Sequence, residues 1–109
     1  MHPPAAPRYR AVCRTDEVQP GRGTLVEVDG KEVAVFLVEG TLHAIENTCL
    51  HAGGPLHEGT ITGTIVTCPW HGWQFDVRDG SCNLNPCVSL HCYDVREREG
   101  RIEIAAPRR

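Results

Sequence analysis

The stretch TLVEVDGKEVAVFLV, residues 24–38, decides the class of fold. Residues 24–28 alternate between apolar and polar side chains, as expected for a strand with one buried face. Asp29-Gly30 is a two-residue hairpin turn signal. The apolar, largely β-branched run that follows is typical of a strand. These residues therefore predict a β-hairpin with strands at 24–28 and 31–38.

Similar strand-like patterns occur on both sides of this hairpin. Short apolar or alternating runs are separated by Gly, Asp and Asn, and no window of eleven or more residues has a convincing helical period. One helical turn could begin at Asp16, but Pro20-Gly21 ends it. We therefore predict an all-β fold, an antiparallel sandwich or barrel. The predicted strands are 9–13, 24–28, 31–38, 41–45, 60–67 (with a turn or bulge at Gly63), 74–77, 88–96 and 101–105.

Length and composition indicate one globular domain. The chain has 109 residues, a size typical of a single domain, with 40% hydrophobic residues, 23% charged residues and a net charge of -3. This balance gives no support for a nucleic acid or a membrane surface as partner. The longest uninterrupted apolar run, 33–38, is too short to span a bilayer.

Residues 1–8 carry three prolines and no apolar segment typical of a secretory signal. We expect a flexible N-terminal arm at 1–8, a folded domain at 9–106 and a cytoplasmic location. In that compartment, six cysteines favour metal ligands or free thiols over disulfides.

Two stretches fit no strand pattern, residues 47–59 and 68–73, and both are rich in Cys, His, Gly and Pro. The first contains Cys49-x-His51 and the second Cys68-x-x-His71, so each offers one thiolate and one imidazole. Such ligands suit zinc, iron–sulfur clusters or copper. Structural zinc usually takes two cysteines from one hairpin and two histidines from a helix. The mixed pairs favour a binuclear site, and zinc remains the alternative.

Glycines and prolines surround these four residues. Gly53, Gly54 and Gly72 lack a Cβ and can adopt positive φ, so the backbone could turn its N–H groups toward bridging sulfides. Pro55 and Pro69 stiffen the two loops. Such rigidity limits the structural change that accompanies one-electron transfer.

The pattern Cys49-x-His51-x₁₆-Cys68-x₂-His71, with its Gly-Gly-Pro-Leu and Pro-Trp-His-Gly-Trp-x-Phe-Asp contexts, resembles Rieske-type [2Fe–2S] ferredoxins of the low-potential kind that serve ring-hydroxylating oxygenases. The resemblance implies a Rieske-type β sandwich or barrel with a cluster-binding part at about 47–86. It implies that Cys49 and Cys68 hold the inner iron, and His51 and His71 the outer, solvent-side iron. The residues expected to support the cluster are Gly53, Gly54, Pro55, Trp70, Gly72, Trp73 and, in a third covering loop, Pro86.

One departure narrows the resemblance. High-potential members of the family carry an extra cysteine in each cluster loop, and these two form a disulfide. Gly54 and Trp70 occupy the corresponding positions here, and Trp73 stands where those members have a serine. The resemblance therefore implies a potential toward the low end of the Rieske range, roughly -150 mV rather than +300 mV.

By resemblance, the protein is a one-electron carrier between a flavin-dependent reductase and a terminal oxygenase. It is not expected to turn over a substrate alone, because the sequence has no other acid–base or nucleophile constellation. The first alternative is the small Rieske subunit of an assimilatory nitrite reductase, acting with its large subunit. The second alternative belongs to another class, a zinc-binding interaction module.

The remaining cysteines and histidines are given ordinary structural roles. Cys is common as a small buried residue, so Cys13, Cys82, Cys87 and Cys92 are expected to be plain thiols. His43 and His57 are expected at the surface or in loops. Trp70 and Trp73 are expected to shield the cluster from water, with docking of a partner as an alternative role for one of them.

Overall fold

The computed structural model describes residues 8–49, 53–70 and 72–107. Over those ranges the chain has nine strands, two 3₁₀ turns at Thr15–Glu17 and Leu56–Glu58, and no α-helix. The predicted all-β class is confirmed. The strands are β1 (Arg10–Arg14), β2 (Thr24–Val28), β3 (Lys31–Val38), β4 (Thr41–Glu46), β5 (Thr60–Thr62), β6 (Ile65–Thr67), β7 (Gln74–Asp76), β8 (Cys92–Arg98) and β9 (Arg101–Pro107).

The strands form two antiparallel sheets. The larger sheet has the order β1-β9-β8-β4-β3-β2, and the smaller sheet has the order β5-β6-β7. The outer strands β1 and β2 approach each other, so the larger sheet curls into a nearly closed barrel. The small sheet is inserted between β4 and β8 along the chain, and it carries the two loops that contain the predicted ligands.

Strand β3 is buried on both faces. Val33 and Val35 point into the barrel, where they pack with Ile104 and other apolar side chains. Ala34 and Phe36 belong to a second core, shared with the small sheet. A strand covered on both sides reads as a continuous apolar run rather than an alternating one. This double burial explains the unbroken apolar sequence that marked β3.

Tight two-residue turns join the long strands. Asp29-Gly30 has φ values of 51° and 81°, and Glu99-Gly100 has values of 53° and 79°. Positive φ at both central residues matches the twist of a hairpin, and it favours glycine at the second position. The predicted β2–β3 hairpin is therefore confirmed. The predicted four-residue connection 97–100 is wrong, because β8 continues to Arg98.

Two other predicted strands differ in detail. The run 60–67 is two strands separated by a turn at Gly63, whose φ is 59°. The predicted strand 88–96 begins only at Cys92, because Leu90 N donates to Gly80 O at 2.8 Å instead of pairing with a neighbouring strand. Residues 1–7 of the predicted arm lie outside the described residues. None of the described segments is a helix long and apolar enough to cross a membrane.

Candidate metal centre

Loop 1, residues 47–57, is held as a small ladder. Thr48 and Pro55 form an antiparallel bridge. Cys49 N donates to Gly54 O at 2.9 Å, and Gly53 N donates back to Cys49 O at 2.8 Å. Gly53 has a φ of 74°, a conformation that a residue with a Cβ adopts only with strain. The ladder therefore fixes the backbone of Cys49, whose side chain is buried.

Loop 2, residues 68–73, joins β6 to β7. Cys68 N donates to Trp73 O at 2.7 Å, which closes the loop at its base. Trp70 N lies 3.4 Å from Cys68 Sγ and donates to it. Gly72 has a φ of 76°, as the tight turn requires. The loop thus buries the Cys68 thiol and directs a backbone N–H at its sulfur.

The two predicted cysteine ligands come together. The Cys49 and Cys68 thiols are both buried and interact with each other. Burial raises the pKa of the Cys68 thiol, the Trp70 N–H lowers it, and the neighbouring Cys49 thiol raises it further. A buried Cys68 thiol with the Cys49 thiol beside it suits a shared cation, because a metal ion deprotonates the thiols that coordinate it.

Gly54 is required for space. A Cβ placed on Gly54 would lie 2.6 Å from Cys68 Sγ and 3.1 Å from Trp70 Cβ. We predicted a positive φ for Gly54, but Gly54 is not among the positive-φ glycines. Glycine is needed at this position because Cys68 and Trp70 approach it closely. Positions 54 and 70 lie side by side, as a disulfide pair would. Neither carries a thiol.

Loop 3, residues 79–91, lies beside loop 2. Asn83 N donates to Gln74 O at 3.0 Å, and Phe75 and Cys82 form a bridge, so loop 3 extends the small sheet beyond β7. Pro86 is exposed in the turn that Val88 N closes on Asn85 O. Its expected position over the cluster stays a prediction.

The two tryptophans differ in exposure. Trp73 is half-buried and packs against the core shared by the small sheet and β3. Trp70 is 51% exposed, and Leu84 of loop 3 is 63% exposed. A shielding role therefore suits Trp73, whereas Trp70 offers an apolar surface beside Cys68.

His51 and His71, the predicted imidazole ligands, lie outside the described residues, and their assignment stays a prediction. His57 was expected at the surface or in a loop. It is half-buried in the 3₁₀ turn that ends loop 1, and its N and Nδ1 lie 2.8 and 3.0 Å from Asn47 Oδ1. The sequence analysis missed this Asn47, a buried polar residue two positions before Cys49. A lone Asn at the start of a glycine-rich loop was the available signal.

Asp76 is the second residue that the sequence analysis missed. Its buried carboxylate accepts hydrogen bonds from Arg78 Nε at 3.0 Å, Arg78 N at 2.9 Å and the Thr64 hydroxyl at 3.3 Å. The Arg78 guanidinium, with Nη2 at 2.8 Å, holds the pKa of Asp76 below its usual value, although burial opposes the shift. This ion pair closes the end of β7 next to loop 3.

None of the six cysteines forms a disulfide. Of the four without a predicted metal role, Cys82 and Cys92 are buried, Cys13 is half-buried and Cys87 is exposed. Within residues 8–49, 53–70 and 72–107, no group of three or more Cys, His, Asp or Glu side chains could hold a metal ion. The second metal site that the spacing of Cys82, Cys87 and Cys92 could suggest therefore has no support in that part of the chain.

The described residues fit an iron–sulfur cluster. Cys49 and Cys68 supply two adjacent soft ligands in a dry setting. The glycine at position 54 leaves room beside Cys68 Sγ, and the Trp70 N–H provides the hydrogen bond that thiolate ligands commonly receive. Each loop is closed by backbone hydrogen bonds between its two sides.

Comparison with known proteins agrees with this chemistry. The chain matches the Rieske [2Fe-2S] domain family over residues 8–94. It is 35% identical over 100 residues to the ferredoxin CarAc of Metapseudomonas resinovorans, covering 90% of this chain and 94% of that protein.

Solved structures show the same fold. A chain in the complex of reduced oxygenase and oxidized ferredoxin in carbazole 1,9a-dioxygenase is 34% identical, with a TM-score of 0.81, and the match covers 93% of this chain and 95% of that one. A protein of Mycobacterium tuberculosis described as an NADH-dependent nitrite reductase small subunit is 32% identical, with a TM-score of 0.85 and coverage of 94% and 97%. The chain thus belongs to the Rieske [2Fe-2S] domain family, and its cofactor is a [2Fe–2S] cluster.

Proposed function

We propose that this protein carries single electrons from a flavin-dependent ferredoxin reductase to the terminal oxygenase of a ring-hydroxylating dioxygenase system. The observation that carries the proposal is the buried pair Cys49 and Cys68, held in two rigid loops beside an exposed tryptophan. Its relatives in such systems are ferredoxins rather than the enzymes that act on substrate. The protein is accordingly a component of a multi-protein oxidoreductase.

Cys49 and Cys68 hold the inner iron in this proposal, and His51 and His71 hold the outer one. When bound, the cluster takes up one electron and gives it back. The protein contributes a rigid and dry setting: backbone ladders fix both cysteines, and the Trp70 N–H stabilises negative charge on Cys68 Sγ. Because the loops are already held in place, little reorganisation accompanies the change of charge.

The partners dock, in this proposal, at the end of the molecule that carries the loops. Trp70 lies beside Cys68, and the exposed Leu84 follows Asn83, which bonds to Gln74 next to loop 2. Between residues 47 and 75 the chain carries a single charged side chain, Glu58. An apolar, nearly uncharged surface next to the electron carrier suits a transient protein partner. The solved complex of a related chain with its oxygenase supports such a partner.

Two further properties belong to the proposal. The reduction potential lies toward the low end of the Rieske range, because positions 54 and 70 carry no disulfide and Trp73 supplies no hydroxyl near the cluster. The protein acts in the cytoplasm, where all six of its thiols would stay reduced. A potential of roughly -150 mV, measured by protein-film voltammetry, would support the first statement. Recovery of the protein in the cytoplasmic fraction of its host cells would support the second.

A nitrite reductase small subunit is the second candidate. The specific observation in its favour is the likeness, over 94% of this chain, to the Mycobacterium tuberculosis protein described as such a subunit. Under this candidate the protein would co-purify in a stable complex with a sirohaem subunit. Family membership decides against the zinc-binding module, since the family's cofactor is a [2Fe–2S] cluster.

The ligand assignment is tested by electron paramagnetic resonance (EPR) of the dithionite-reduced protein. A rhombic Rieske-type signal is required, and a His71→Cys variant should keep a cluster of lower potential, because a thiolate adds negative charge. The matched control is His91→Cys, since His91 is exposed in loop 3. A His71→Cys variant with an unchanged potential would mean that His71 is not a ligand.

The function itself is tested by reconstitution with a reductase and an oxygenase from a dioxygenase system. Trp70→Ala should slow electron transfer to the oxygenase while leaving the potential unchanged, because the residue acts in docking. Leu25→Ala is the control, an exposed apolar residue on β2. Equal rates for Trp70→Ala and wild type would show that partners dock elsewhere.

A further inference from the structure

A buried side chain links the barrel to loop 1. Asn47 directly follows β4 and is 2% exposed. Its backbone O accepts from Leu56 N at 2.7 Å, and its N donates to Glu32 O in β3 at 3.1 Å. Its carboxamide oxygen Oδ1 lies 2.8 Å from His57 N and 3.0 Å from His57 Nδ1. One residue therefore holds both ends of the loop that carries Cys49.

The donor and acceptor roles in this contact follow from the backbone. A backbone N–H can only donate, so the Asn47 atom facing His57 N must be the oxygen of its carboxamide. The ring nitrogen that faces the same oxygen is Nδ1, and it must carry a proton in order to donate. The other ring nitrogen, Nε2, faces Glu58 Oε2 at 3.7 Å. The Asn47 oxygen is thus shared by two donors of one residue, and it fixes both the backbone and the ring of His57.

His57, the other residue of this contact, is also held by the barrel. A Cβ on Gly23, just before β2, would lie 2.7 Å from His57 Cα and 2.8 Å from Phe36 Cε1. The backbone of His57 therefore packs directly against the barrel at Gly23. The ladder continues along the loop from the hydrogen bond of Leu56 N to Asn47 O to the hydrogen bond of Cys49 N to Gly54 O, and these two bonds flank the Thr48–Pro55 bridge. A displacement at Asn47 would be transmitted along this ladder to the Cys49 sulfur.

We infer that Asn47 is a positioning residue for the [2Fe–2S] cluster: by accepting both N–H groups of His57, it fixes Cys49 relative to Cys68. The inference rests on the proposed role of Cys49 as a ligand. Asn47 acts in this inference through the backbone of loop 1 and not as a ligand. A group of this kind, which orients a ligand from behind, typically changes metal affinity by roughly 10–100-fold when it is removed.

The test compares Asn47→Leu, which keeps the approximate volume but cannot accept a hydrogen bond, with wild type. Asn47→Leu should broaden the EPR lines of the reduced protein, because Cys49 is no longer held in one position. It should also raise the rate at which a chelator bleaches the visible absorption, by roughly tenfold or more. Asn47→Asp keeps an acceptor oxygen and should restore a sharp EPR spectrum and slow bleaching. Thr24→Val, which removes the exposed hydrogen bond from the Thr24 hydroxyl to Glu17 O on the barrel, is the control and should behave as wild type.

Several outcomes would overturn the inference. A wild-type spectrum and bleaching rate for Asn47→Leu would do so, as would an Asn47→Asp variant as impaired as Asn47→Leu. If Asn47→Leu does not fold, His57→Phe removes the ring donor but keeps the backbone donor, and a bleaching rate equal to wild type would count against the inference. A wild-type protein without a Rieske signal would instead defeat the proposed function.

Discussion

In the barrel, strands of five to eight residues enclose an interior of Val, Ile and Ala side chains. At the opposite extreme, the cluster end, residues 47–91, has three strands of only three residues each. Its core shares Phe36 and Ile45 with the barrel, but it also contains four cysteines. The barrel is stabilised mainly by apolar burial, whereas the cluster end depends on backbone ladders between loops.

Charge separates the same two regions. The chain has eleven basic and fourteen acidic residues, yet only four of them lie within residues 47–91: Glu58, Asp76, Arg78 and Asp79. Two of these four, Asp76 and Arg78, pair with each other. The cluster end therefore has few charges around its cysteines, and most charged residues lie outside it. The difference suggests that the barrel is the scaffold and the cluster end is the part whose geometry needs the cofactor.

Replacing Gly54 should have the largest effect, and the effect should be confined to the cluster end. A methyl group at this position meets Cys68 Sγ at 2.6 Å. We expect Gly54→Ala to lower the affinity for the cluster by roughly 10–100-fold, as for other groups that shape a metal site, while the far-ultraviolet circular dichroism of the barrel is unchanged. Iron and sulfide analysis of the purified protein measures the loss.

Gly53→Ala is the matched control for this experiment. A Cβ on Gly53 would meet nothing within 4 Å, but its φ of 74° strains any other residue. That strain costs about 1 kcal/mol without blocking the site, so the variant should keep its cluster. Equal cluster loss from both variants would mean that loop strain, rather than space beside Cys68, controls assembly.

Removal of the iron should have the next largest effect, and it should be local. Because a bound metal stabilises the residues that hold it, we expect amides of β5, β6 and β7 to exchange faster in the apoprotein, by roughly tenfold where the cluster would be present at about ten times its dissociation constant. Amides in β3 and β9 should keep most of their protection. Hydrogen exchange followed by mass spectrometry distinguishes this result from uniform loosening, which would remove the distinction between scaffold and cluster end.

How much of this contrast could be predicted depends on the range of the interactions. The β2–β3 hairpin was predictable because alternation and Asp29-Gly30 are local signals. The start of β8 was not, because residues 88–91 are held by Gly80, across loop 3. The role of Gly54 was misjudged for a similar reason. Its need for space arises only when Cys68 and Trp70 arrive from another loop, whereas positive φ is a local property.

The pH dependence of the free energy of unfolding tests how Asp76 stabilises the cluster end. Its pKa is lowered in the folded protein, chiefly by Arg78. The pair therefore stabilises the fold above the unfolded-state pKa of about 4, and the contribution is lost as the pH falls through the lower, native pKa. Asp76→Asn should reduce the free energy of unfolding at pH 7 by roughly 1–3 kcal/mol. The variant should also show a smaller loss of stability between pH 4 and pH 2 than wild type.

Urea unfolding of the apoprotein at each pH measures this effect without interference from acid release of the cluster. Asp79→Asn serves as control, because the exposed Asp79 accepts a single hydrogen bond from Ser81 N that an asparagine oxygen can replace. If Asp79→Asn and Asp76→Asn changed the pH dependence equally, the ion pair of Asp76 with Arg78 would not be its cause.

The smallest effect is expected in the barrel, far from the loops. The Arg96 guanidinium lies 3.8 Å from the centre of the Tyr9 ring, and its Nε is 2.7 Å from Glu103 Oε1. Tyr9→Leu removes the cation–π contact and should cost about 0.5–1 kcal/mol of unfolding free energy, whereas Tyr9→Phe keeps a ring and should cost less. Because the barrel supports the cluster end without sharing its ligand geometry, neither variant should alter the EPR spectrum. A changed spectrum in Tyr9→Leu would show that the two regions are mechanically coupled, and the scaffold would then have to be counted as part of the metal site.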